Sequence, residues 1–323
     1  MKALVTGAGG FIGSHLAKEL IRKGYFVRGL FLPQEETQLL ENIGLEIFRG
    51  DLTKPLTIKS ITKDIDIVFH LAARTLDWGT MQKFKTIMVD GTENILKESR
   101  NNISKFIYFS SVAALGLGRD IKGFKEDAKR VKTNIPYCDT KILAEDLVNN
   151  YCTKNNIPYT IIRPSNVIGP GSIWVRDVLD KFLNSRVPLI NHGKAPGAFI
   201  YIDNLIHGTL LAAESKNSNG NTYHFCDHYS ITWKEYLQTL GGWVGKKPFG
   251  SVSFKFAWSL GWLLEKLYTP FNRRPPVTRL ASSITGKNLD VDTTLAEKDL
   301  GWSSLVSENE AMDRIKIWVK QKY

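Results

Sequence analysis

Residues 2–24 read KALVTGAGGFIGSHLAKELIRKG, and the order of residue types within them decides the fold. Lys2 to Thr6 is a short apolar, partly β-branched run, the composition of a strand buried on both faces. Three glycines follow at Gly7, Gly10 and Gly13, and the stretch from there to Gly24 carries helical periodicity. Strand, glycine turn and helix in that order make a phosphate cradle. The glycines let the backbone approach a pyrophosphate and let the helix pack closely on the strand, while the helix N-terminus faces the anion.

Further apolar runs lie at 25–32, 45–48 running into GDL at 50–52, 66–73 and 105–111, each separated from the next by a helix-length stretch. The alternation predicts an α/β fold with a parallel, doubly wound Rossmann sheet. An acidic residue normally follows the second strand about 20 residues beyond the last glycine, where it meets the ribose of NAD. Here that place holds Phe31 and Leu32, with Glu35 and Glu36 a little further on, so NAD and NADP stay equally open.

Composition narrows the class. The 323 residues are 43% hydrophobic and 23% charged, ordinary values for a globular chain with its own core. The net charge of +11 is spread over scattered lysines, with Arg273-Arg274 as a tight basic pair. No basic stripe with interleaved aromatics supports a nucleic-acid role. Cys138, Cys152 and Cys226 lack the spacing of a disulfide framework or a zinc site, which fits a reducing compartment and no metal. MKALVTG enters a strand without an export signal, and no apolar run is long enough to span a bilayer. The expectation is a cytoplasmic protein.

Within PYCDTK at 136–141, Tyr137 and Lys141 stand one helical turn apart and share a face. A tyrosine titrates near ~10. A nearby cation favours the phenolate and would make it a usable base at neutral pH. Such a pair occurs by chance on many helices. Its position after a dinucleotide turn and after FSS at a strand's C-terminal end favours catalysis.

TGAGGFIG (6–13), GDL (50–52), HLAA (70–73), VDGTENIL (89–96), FSSVAALG (109–116), YCDTK (137–141), RPSNVIGPG (163–171), YIDNL (201–205) and DLGW (299–302) occur in this order along nearly the whole chain. In these motifs the chain resembles the extended short-chain dehydrogenase/reductase family, also called the NAD-dependent epimerase/dehydratase family. The resemblance implies a Rossmann domain over residues 1–165. It also implies a smaller C-terminal substrate-binding lobe over 166–323, with a segment at about 197–214 returning to the first domain.

It further implies Tyr137 as acid/base, Lys141 as the group that lowers its pKa and holds the nicotinamide ribose, and Ser111, five residues before Gly116, as the substrate-orienting serine. Gly7, Gly10, Phe11, Ile12, Gly13, Asp51, Leu52, Leu71, Ala72, Ala73 and Pro164, with Tyr137 and Lys141, are the implied NAD(P) contacts. Met88 stands where the family commonly has asparagine, which puts the proton path in doubt. The helices around 88–100 and 140–153 are where relatives dimerise, so a homodimer is expected.

For the substrate, nucleotide-sugar members place arginines where this chain reads GKAPGAFIYID and SITGKNLDVD, with Lys194 and Lys287 instead. The segment 252–271 is rich in aromatics (Phe254, Trp258, Trp262 and Tyr268, with the aliphatic Leu263 among them) and suits a hydrophobic substrate or a membrane interface, or else a buried helix. DWG at 77–79 is similar to the 3β-hydroxysteroid dehydrogenase-like branch. The reading is an NAD(P)-dependent oxidoreductase acting on a secondary alcohol or ketone on a sterol-like or long-chain β-keto skeleton. Its rivals are a nucleotide-sugar epimerase or dehydratase with tightly bound NAD, and a non-catalytic dinucleotide-binding regulator.

Overall fold

The computed structural model describes residues 1–100 and 103–323. Seven parallel strands form the central sheet: β1 (Lys2–Thr6), β2 (Phe26–Phe31), β3 (Glu46–Arg49), β4 (Ile67–His70), β5 (Lys105–Phe109), β6 (Tyr159–Pro164) and β7 (Thr222–Phe225). Their order across the sheet is β7-β6-β5-β4-β1-β2-β3. The chain leaves β1 toward β2 on one side and returns to β4 on the other. That reversal opens a crevice at the carboxyl ends of β1 and β4, where ligands of such sheets bind.

The strands are nearly continuous apolar runs because helices cover both faces. Leu4, Val5, Val68, Phe69, Phe106 and Ile107 are all buried. β4 stops at His70, three residues short of the apolar run in the sequence, because the chain peels away at Leu71–Ala73 toward the glycine turn. β7 comes from beyond residue 214 and pairs with β6, with Phe225 opposite Pro164. The Ile202–Glu214 helix packs on the Phe11–Arg22 helix.

Residues 81–99 form one helical run with a change of pitch inside it. Met81–Lys85 and Gly91–Ser99 are α-helical, and Thr86–Asp90 between them is a π-turn. Met88 is buried in that turn against Thr140, whose hydroxyl lies 3.5 Å from the sulfur.

A buried histidine ties this run to the sheet. The Thr6 hydroxyl and His70 Nδ1 are 2.7 Å apart, and His70 Nε2 lies 2.9 Å from Thr92 Oγ1. The Thr92 hydroxyl donates to the Met88 carbonyl and so accepts from Nε2. Thr6 Oγ1 accepts the amides of Leu71 and Ala72 and gives its proton to Nδ1. These roles require the neutral imidazole, and burial holds the His70 pKa down to about 3.

The sign of the pH dependence follows. Unfolded, the imidazole takes up a proton near ~6.5, whereas folded it does not until far lower pH. Between those limits the unfolded state binds the extra proton, so stability falls as pH drops. The expected slope is about 1.4 kcal/mol per pH unit from His70. Urea unfolding of the wild type and of His70→Gln between pH 6 and 4 should show that much less slope in the variant; parallel curves would refute the neutral relay.

Candidate active site

Gly7, at φ +71°, lies against β4's exit: a Cβ there would stand 3.0 Å from the Ala72 amide nitrogen. A Cβ on Gly13 would stand 2.1 Å from the Gly7 carbonyl oxygen, so neither position accepts a side chain. Gly10 caps the Phe11–Arg22 helix, and no side chain makes a capping hydrogen bond at its N-terminus. The amide end of that helix, including Phe11 and Ile12, thus opens beside Leu71, Ala72 and Ala73. This glycine-walled, uncapped helix start fits a dinucleotide pyrophosphate.

The other expected cofactor contacts spread along the same sheet edge. Asp51 accepts from the Thr53 amide and hydroxyl in a turn of its own. Leu52 is buried against Gly91, and Asn94 donates to its carbonyl. Pro164 closes β6. Phe31 is buried, and its ring lies 3.3 Å from where a Cβ on Gly9 would be. The loop after β2 folds back so that the Glu35 carboxylate accepts the Leu32 amide at 2.7 Å and reaches 3.9 Å from that same point over Gly9. An acid therefore stands at the glycine turn although none follows the strand directly. Arg49, from the end of β3, holds this loop through the carbonyls of Leu32, Pro33 and Glu35 and through Thr37.

The Pro136–Lys154 helix begins where the proline's missing N–H costs nothing and Asp139 accepts the Thr133 and Asn134 amides. It brings Tyr137 close enough to Ser111, which begins the short 3₁₀ turn after β5, for the serine hydroxyl to act on the phenol. Lys141 is buried, donating at 2.6 Å to the Phe109 carbonyl and lying 5.2 Å from the Tyr108 ring centre.

Burial sets both ionisations. It raises the Tyr137 phenol to about 12, with the Ser111 hydroxyl opposing, and lowers the Lys141 ammonium to about 8, with Glu145 opposing. In the protein alone the burial of the phenol, not a neighbouring charge, sets the direction. Desolvation of the phenol is the larger effect, and Tyr137 is a neutral hydroxyl at pH 7 while Lys141 is charged.

Glu145, one further turn along the helix, was not among the residues expected here. Its buried carboxylate accepts from Ser110 at 2.5 Å, from Arg163 at 2.7 and 2.8 Å and from Arg130 at 3.0 Å. Ser110 therefore bonds Glu145 and its neighbour Ser111 acts on Tyr137. The i, i+4, i+8 spacing of Tyr137, Lys141 and Glu145 marks that face in the sequence.

On the open side, Phe84 meets the Tyr137 ring edge-on at 6.4 Å. Arg74 stacks on Phe84 and Trp78 beside a cavity of about 630 Å³ that also reaches Thr53, Thr86 and Asn272. Trp258 packs on Gly118, just past the Ser111 turn: a Cβ there would be 2.6 Å from the indole. Phe254 packs on Gly286. These two rings of the aromatic segment face inward.

The outward face of its Phe254–Tyr268 helix instead carries Phe256, Leu263 and Leu267, exposed by 58%, 47% and 54%. Of the lysines at the expected diphosphate positions, Lys194 is exposed and Lys287 pairs with Asp120 at 3.3 Å. Among the described residues no helix is long and apolar enough to cross a membrane.

The model of the NAD dependent epimerase/dehydratase family matches residues 3–226. The chain is 28% identical to 2-alkyl-3-oxoalkanoate reductase of Shewanella oneidensis, over 97% of this chain and 85% of that protein. It is 27% identical to the decarboxylating sterol-4-alpha-carboxylate 3-dehydrogenase of Mus musculus, over 97% and 89%. UDP-glucuronic acid 4-epimerase from Bacillus cereus, solved with NAD, superposes with a TM-score of 0.77 at 26% identity over the full length of both chains. The glycine cradle at the switch point, the approach of Ser111 and Tyr137 and the match over most of the chain lead to one assignment: the protein belongs to the NAD dependent epimerase/dehydratase family.

Proposed function

We propose that the protein is a dehydrogenase/reductase that moves a hydride between a nicotinamide cofactor and a secondary alcohol or ketone on a hydrophobic skeleton. The observation that carries this is the approach of Ser111 and Tyr137 at the carboxyl end of β5, on the helix that also carries the buried Lys141. The relatives named as an oxoalkanoate reductase and a sterol carboxylate dehydrogenase support the hydrophobic class. The nucleotide-sugar alternative is weakened because Lys287 is already paired and no arginine replaces it in that segment.

The dinucleotide, when bound, supplies or accepts the hydride at the substrate carbon. Gly7, Gly10, Gly13 and the helix start at Phe11 and Ile12 hold its pyrophosphate, with Asp51 and Leu52 toward the adenine and Leu71, Ala72, Ala73 and Pro164 along its length. Tyr137 gives its hydroxyl proton to the ketone oxygen in reduction and takes it back in oxidation. Ser111 orients that oxygen. The Lys141 charge stabilises the phenolate left behind, which makes the neutral tyrosine a proton donor at pH 7. Glu35 stands where a ribose 2′-phosphate would need a cation, and this favours NAD over NADP.

The finer associations follow the same reading. The helices 81–99 and 136–154 supply the homodimer face. The Phe256–Leu263–Leu267 stripe rests on an anionic membrane surface in an otherwise cytoplasmic protein. Residues 246–287 hold eight basic residues against one acid, Glu265, which is turned inward to Arg279. A basic, aromatic-edged helix with an apolar stripe suits that interface.

Three outcomes are expected. Tyr137→Phe and Ser111→Ala lower turnover of a hydrophobic ketone by about 10²–10⁴-fold and leave NADH affinity unchanged; unchanged turnover would defeat the mechanism. Ketone reduction falls as pH rises through about 8, as Lys141 loses its charge, and Lys141→Met flattens that limb. The wild type prefers NADH, and Glu35→Ala narrows the NADH/NADPH ratio of dissociation constants; a wild type that binds NADPH better would reverse the assignment.

A further inference from the structure

Arg74 is exceptional among the arginines that are not exposed. Arg28, Arg130, Arg163 and Arg279 each bond a carboxylate, and Arg119 bonds backbone carbonyls. Arg74 has neither kind of partner among the described residues, and its Nε is buried with nothing accepting from it. An unpaired guanidinium nitrogen out of water is costly unless something fills its hydrogen bonds.

The surroundings hold it in place without satisfying it. The guanidinium lies 5.3 Å from the Phe84 ring centre and 5.9 Å from that of Trp78. Gly79, at φ +135°, allows this: a Cβ there would stand 3.2 Å from Nη2 and 3.4 Å from Nε. The acid of the same loop, Asp77, is directed elsewhere, accepting from Arg274 at 3.1 Å and Thr278 at 2.9 Å. Two aromatic walls, a glycine floor and an occupied neighbouring acid leave a rigid, forked cation facing the cavity of about 630 Å³.

Phe84 forms the other link, since its ring also meets Tyr137. An anion held by Arg74 therefore lies one aromatic ring away from the proton donor.

We infer that Arg74 binds the carboxylate of a 3-oxo or 3-hydroxy acid, fixing the acid end of the substrate while its C3 oxygen meets Tyr137 and Ser111. This rests on the proposed hydride-transfer function and names the substrate class for it. Arg74 and Tyr137 flank the same ring, Phe84, at 5.3 and 6.4 Å from its centre, which suits a ligand whose acid and reacting oxygen are only three carbons apart. A sterol or fatty chain that lacks the acid would have only apolar contacts there and would leave Arg74 unsatisfied.

The test compares 3-hydroxydodecanoate with its methyl ester, in the full-length wild type and in Arg74→Met and Arg74→Lys. For the wild type, kcat/KM should favour the acid by about 10- to 100-fold. In Arg74→Met the acid should lose that advantage through KM, and the ester should change by less than about threefold. Arg74→Lys should keep part of the advantage, because it retains charge without the fork.

NADH affinity, measured by nucleotide fluorescence, should not move. A tenfold loss of NADH affinity in Arg74→Met would place a cofactor phosphate on the guanidinium and overturn the proposal, as would equal losses for acid and ester. Binding followed by tryptophan quenching separates the two readings. Acid bound in preference to ester without turnover would sink the hydride-transfer function and keep Arg74's role. Turnover of both without preference would do the reverse.

Discussion

The buried carboxylate of Glu145 holds the candidate active site in one piece. It joins Ser110 at the end of β5, Arg163 on β6 and Arg130 from the loop before the Pro136–Lys154 helix. It also acts on Lys141, raising an ammonium that burial pushes down. Removing one member of such a network leaves a buried charge without compensation, at a cost of about 3–5 kcal/mol. The direction of the helix, the height of Lys141 above the sheet and the rotation of the Ser110–Ser111 pair therefore depend on the same four side chains. Tyr137 and Ser111 meet because Glu145 fixes both of the elements that carry them.

Much of this was legible in the sequence, for reasons that are local. Glycines at 7, 10 and 13 between an apolar run and a helical period have few other uses, and strands buried on both faces betray themselves by continuous apolar runs such as KFIYF. The parallel sheet and the Tyr137–Lys141 face followed from these patterns. Properties that depend on the whole assembly did not. The phenol's ionisation is decided by how much protein surrounds it, which spacing does not reveal. The orientation of the aromatic helix stayed open in the sequence: Phe254 and Trp258 turn in against glycines at 286 and 118, while Phe256 turns out, and a list of aromatic residues does not say which side is up. The placing of Glu35 over the glycine turn and the unpaired state of Arg74 depend on the fold of the loop after β2 and on the Asp77 contacts, which the sequence does not show.

The glycine turn and the aromatic cluster near Tyr137 are built on opposite physical terms. At Gly7 and Gly13 the backbone itself is the surface, and a Cβ at either position would meet neighbouring backbone. Around Phe84 and Trp78, and separately at Trp258, bulky rings prevail, and glycines at 79 and 118 give them room. The first arrangement accepts one ligand chemistry and tolerates little change; the second can be repacked by exchanging rings. Such a division lets one family keep a cofactor while its members diverge in substrate.

The π-turn at Thr86–Asp90 has a bearing on that divergence. It adds one residue to a helix whose first part presents Phe84 to Tyr137 and whose second part presents Thr92 to His70. Each residue of an α-helix advances the chain by about 100° around its axis. The inserted residue is thus a phase setting between the Phe84–Tyr137 contact and the sheet. Losing any one residue from that turn would restore a regular helix and swing one part by about a quarter turn against the other, so chain length at this point specifies the active site as firmly as residue identity does.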